Sequence, residues 1–64
     1  MAQPSVFTAQ EKAKEARREV SMRCAVYPKW IAAGRMKQVD ADRRIAIMTA
    51  IAVDYERRAQ PELL

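Results

Sequence analysis

The chain of 64 residues has no histidine, one cysteine and one glycine. Without histidine there is no side chain whose ordinary titration falls near neutral pH to serve as a base. Cys24 alone cannot close an internal disulfide, and one sulfur without imidazoles makes no zinc site. A phosphate-cradling loop needs several glycines close together, and Gly34 stands by itself. No alternating run of β-branched residues signals a strand. The longest apolar run is Ile45–Val53, interrupted only by Thr49; a bilayer span needs about 20 apolar residues. The N-terminus has neither a basic segment nor an apolar core of the secretory kind. With the lone cysteine, this points to a reducing, cytoplasmic setting. The sequence therefore predicts no enzyme, no cofactor, no metal and no membrane partner.

What is present is helical. Half the residues are apolar, and alanine supplies much of that half. A chain this short buries only about 60% of the surface it exposes unfolded, so it needs a staple. With disulfides and metals gone, the remaining staple is association with another subunit. Twelve Lys and Arg against eight Asp and Glu give a net charge of +4. That is a mild attraction for acidic partners, weaker than the basic stripe of a dedicated nucleic-acid binder.

Residues 1–7 have no period and are expected to form a flexible arm. Thr8-Ala9-Gln10-Glu11 has the spacing of a capping box and marks a helix start. From there Ala9, Ala13, Ala16, Val20, Cys24 and Tyr27 fall on one face. Lys12, Lys14, Glu15, Arg18 and Glu19 form the solvated side, with Glu15–Arg18 and Glu19–Arg23 spaced as ion pairs. Cys24 is thus expected to be a buried, inert thiol. Pro28 predicts a kink or break after Tyr27, then a short helix Pro28–Ala33 that begins on a proline and ends on Gly34. Trp30 and Ile31 would close the end of the core.

A second helix follows Arg35–Val39. Lys37 occupies the place, three residues before Asp40, where Ser or Thr would complete a second capping box. Ala41, Ile45, Met48, Ala52, Tyr55 and Ala59 repeat at four and three, the heptad pattern. Ile47 and Ile51 add another stripe, so the helix is apolar on nearly all sides around its middle. Pro61 would stop it, leaving residues 61–64 as a tail.

The fold class expected is therefore all-α: one hairpin domain over residues 8–60, pairing through the second helix into a dimeric four-helix bundle. Ile45, Met48, Ile51, Ala52 and Tyr55 are the expected dimer or partner contacts, with Tyr27 and Trp30 beside them. Arg17–Arg44 carries eight basic and three acidic residues, and Arg35, Lys37, Arg43 and Arg44 are candidate nucleic-acid contacts. A helix-turn-helix is disfavoured because Asp40 and Asp42 stand at the start of the would-be recognition helix.

Arg17-Arg18-Glu19, Met22-Arg23, Val26-Tyr27-Pro28, Trp30, Ala33-Gly34-Arg35, Ala41-Asp42-Arg43-Arg44-Ile45-Ala46-Ile47-Met48 and Asp54-Tyr55 together resemble a group of short bacterial and prophage or phage open reading frames. The likeness spans about two thirds of the chain, and its members tend to carry Ser or Thr where this chain has Lys37. It implies no activity and transfers no functional residues. The expectation it suggests is an accessory protein that binds and modulates, for example inhibits, a host protein through helix surfaces. The alternatives are a small basic nucleic-acid-binding regulator and a structural subunit of a larger phage assembly.

Overall fold

The computed structural model describes residues 6–60, which form two helices, α1 (Ala9–Ala32) and α2 (Gln38–Ala59). The arm through Ser5 and the tail with its helix stop at Pro61 lie outside the described residues. The two helices pack side by side as an antiparallel hairpin, and no strand occurs among the described residues.

The start of α1 is the capping box anticipated from the sequence. The Glu11 amide donates to Thr8 Oγ1 at 3.0 Å, and the Thr8 amide donates to Glu11 Oε1 at 2.9 Å. Two otherwise orphaned donors are satisfied reciprocally. The end is equally definite. The Gly34 amide donates to the Ile31 carbonyl at 3.0 Å and the Arg35 amide to that of Trp30 at 2.8 Å. This is a Schellman closure, and Gly34 supplies the left-handed residue it requires, with φ of 76°.

Between these ends the helix does not break. Pro28 lies inside a continuous 24-residue α1, so the separate helix Pro28–Ala33 is corrected to the last turns of α1. A proline leaves the carbonyl four residues back, here that of Cys24, without its amide partner. Cys24 is exposed, so water can reach that flank of the helix. Tyr27 is buried immediately before the proline, and the glycine closure holds the chain after it. Both oppose a break at Tyr27.

α2 begins at Gln38, ahead of the acidic residues that were expected to open it. Its N-cap residue is Lys37, which makes no side-chain capping bond. The Lys37 carbonyl accepts from Ala41 at 3.0 Å, and the Gln38 amide side chain ties to Asp42 Oδ1 at 2.9 Å. Lys37→Ser should add the missing cap and raise stability by about 1 kcal/mol. Thermal unfolding followed by circular dichroism would register this as a rise of about 4–8 °C.

The seam between the helices is made of small residues. Ala13, Ala16 and Tyr27 from α1 and Ala41 and Ala52 from α2 are the buried apolar residues among those described. Ala9, Val20 and Arg23 flank the seam on α1, and Ile45, Met48, Tyr55 and Ala59 flank it on α2, all half-buried. Alanines at both sides let two helix backbones come close. Thr49, the one polar residue in the apolar run, donates to the Ile45 carbonyl at 2.7 Å and so carries no unmet hydrogen bond into the half-buried zone.

Candidate functional site

The hairpin has two broad sides. On one, Arg17 bridges the helices to Glu56: Nε donates to Oε2 at 2.6 Å and the second nitrogen, Nη2, donates to Oε1 at 3.0 Å. Gln10, Lys14 and Gln60 line the same shallow hollow. This side is polar. The Arg17 hydrogen bond holds the Glu56 carboxyl below the ordinary carboxylate range, and Glu56 holds the guanidinium above its own. A depressed folded-state acid contributes stability above the unfolded-state value and loses it as pH falls through the folded one. Wild type should therefore lose more stability than Glu56→Gln when acidified from neutrality, as urea unfolding at stepped pH would reveal. Both groups are exposed, so the difference will be modest.

The other side is apolar. One hollow is lined by Met22, Val26, Tyr27 and Trp30 of α1 with Arg44 of α2. A second is lined by Met48, Ile51 and Tyr55 of α2 with Lys12 and Ala16 of α1. Glu19 lines both, so the two hollows lie on one face. Large apolar side chains stand out from it: Met22 is 50% exposed, Trp30 42% and Ile51 39%, and Ile47, one turn before Ile51 on α2, is 48% exposed. The Trp30 and Tyr27 rings pack at 5.6 Å between centroids, tilted by 31°.

One ion pair lies within this face. Arg23 Nε donates to Glu19 Oε2 at 2.9 Å, and another of its nitrogens reaches the Arg44 carbonyl at 3.1 Å. At one end, Lys12 and Arg58 stack over the Tyr55 ring at 5.5 and 5.3 Å from its centroid. Such exposed cation–π contacts are worth about 0.5–1 kcal/mol each.

Several sequence expectations move at this point. Cys24 is exposed rather than buried; Arg23 takes the flank of the seam that was assigned to it. Trp30, expected both at the end of the core and beside the partner contacts, is on the surface, whereas Tyr27 is buried. Ala52 is fully covered inside the hairpin, so it cannot touch a partner, while Ile51 is open to one. Ile45, Met48 and Tyr55 are half-buried along the seam, and Ile47, grouped with Ile51 in the secondary stripe, is the most exposed isoleucine. Met22 and Val26 of α1 join the face. Their spacing of four, continued at Trp30, was the available signal.

Arg35, Lys37, Arg43 and Arg44 are all exposed around the turn and the first turns of α2. Asp40 and Asp42 are interleaved with them and are exposed too. The mixture dilutes the positive field that phosphate binding requires. Among the described residues, no group of three or more His, Cys, Asp or Glu side chains is placed to hold a metal ion, and no helix is long and apolar enough to cross a membrane. No protein-family model, no curated protein and no solved structure matches this chain.

Proposed function

We propose that this is a non-enzymatic, cytoplasmic accessory protein of the phage or prophage type. It pairs with itself into a helical bundle and binds and modulates a host protein, as an inhibitor would, through its helix surfaces. The observation that carries the reading is an inversion of the usual burial order. Four alanines and one tyrosine are inside, while Met22, Trp30, Ile47 and Ile51 are outside. Contiguous large apolar side chains rimmed by charge mark a surface that another protein covers.

The test is capture of partners from a host lysate on the tagged full chain, with and without nuclease, identified by mass spectrometry. The reading expects one stoichiometric protein that survives nuclease. Partners that disappear with nuclease would transfer the function to nucleic acid and to Arg35, Lys37, Arg43 and Arg44. Binding of that kind would weaken steeply with added salt. A lane empty of host proteins would contradict the host-binding part of the proposal.

A further inference from the structure

We propose that the occupant of the apolar face is a second copy of this chain, seated on Met22, Val26 and Trp30 of α1 as well as Ile47 and Ile51 of α2. This rests on the self-pairing part of the proposed function and changes its geometry. The pairing surface is one flank of the hairpin, contributed by both helices, rather than α2 against α2.

The size of the face suits a dimer. A 24-residue helix is about 36 Å long, and two helices of about 10 Å diameter side by side present roughly 700 Å². A stable interface of standard size takes about 800 Å² from each partner.

Stability selects the copy over a foreign protein. No large side chain is fully buried among the described residues, so cover on this flank would add to a core that is otherwise one tyrosine and alanines. A covering subunit that the fold depends on must be present whenever the chain is made, and a second copy always is. Charge does not oppose it. Glu19 and Arg23 neutralise each other in the middle of the face; Lys12, Arg58 and Glu15 stand towards one end and Arg44 towards the other. With this face taken, the burial order supports the self-pairing part of the proposed function, and a host protein is left the flank with Arg17 and Glu56 or the turn.

The face carries its own reporter, because Trp30 is the single tryptophan. On the full chain, Trp30 emission should shift to the blue as concentration rises, in step with a doubling of mass by light scattering. Ile47→Asp and Ile51→Asp should each weaken association at least 100-fold and abolish the shift. Cys24 lies on the other flank, in line with Lys14, Arg17 and Ser21, so its reaction with a thiol reagent should proceed equally in dilute and concentrated samples. To separate lost pairing from lost folding, a benzophenone photo-crosslinker in place of Ile51 should join two copies, while the same group in place of Lys14 should not. Dimers that crosslink from position 14 and leave Trp30 emission unmoved would overturn this face and spare self-pairing. A folded chain that stays at single mass at about 100 μM would overturn both.

Discussion

Tyr27→Ala is expected to unfold the hairpin. Tyr27 is the one large side chain in the seam, 7% exposed, among alanines. Removing a buried aromatic ring costs about 3–5 kcal/mol, part in lost transfer energy and part in the cavity left behind. A single core in a chain of this size rarely supplies more than about 3–5 kcal/mol. The variant also loses the ring contact with Trp30 at 5.6 Å. The effect therefore matches the whole stability of the fold, not a fraction of it. Far-ultraviolet circular dichroism at a few tens of micromolar should show most of the helical signal gone at 25 °C. Tyr27→Phe keeps the ring and should stay folded. Retention of full helicity by Tyr27→Ala would mean that the seam is not what holds α1 and α2 together.

Enlarging the seam should be the next most damaging change. Ala52 has no exposed surface and Ala41 almost none. Small residues there set the separation of the helices, so Ala52→Leu must push α2 away or force strained rotamers, at a cost of about 1–3 kcal/mol. The same substitution two residues earlier is the control. Ala50 is exposed on the same helix, and Ala50→Leu should change stability by less than about 0.5 kcal/mol. Urea unfolding of the two variants side by side measures the contrast. Equal stability of the two would place Ala52 outside the seam and reverse the assignment of faces on α2.

These two predictions rest on features that differ in how readable they were. The α2 seam was legible, because Ala41, Ile45, Met48, Ala52, Tyr55 and Ala59 keep four-and-three spacing without a polar interruption. The capping box at Thr8 and the glycine at the end of α1 were legible for a related reason: each is local chemistry within a few residues. The α1 seam drifted in the reading at Cys24, because the position on its flank is held by Arg23. An arginine there looks polar in a pattern, yet its aliphatic stem can lie along the seam while its guanidinium bonds Glu19 and the Arg44 carbonyl. Pro28 misled because a local penalty was weighed without the surroundings. The helix around it is held by Tyr27 on one side and the Gly34 closure on the other. The Arg17–Glu56 bridge joins residues 39 apart, and no local pattern records such a pair. With the helix unbroken, Trp30 falls in line with Met22 and Val26 on the outer flank, nearer its reading as a partner contact than as the end of the core.

The apolar face was only half visible for the same reason. A sequence pattern on one helix shows that its apolar surface exceeds what a single neighbour can cover, as it did for Ile47 and Ile51. It does not show which flank of the other helix continues that surface. Only the packing of α1 against α2 brings Met22 and Trp30 to the side where Ile51 stands.

Sedimentation equilibrium of the full chain between about 1 and 200 μM, with helicity recorded on the same samples, tests the central claim that this fold is incomplete without a partner on its apolar face. The account predicts that mass rises from that of one chain, 7.3 kDa, to twice that value, and that helical signal and thermal stability rise with it. A chain that stays at 7.3 kDa, fully helical and equally stable at every concentration, would contradict it.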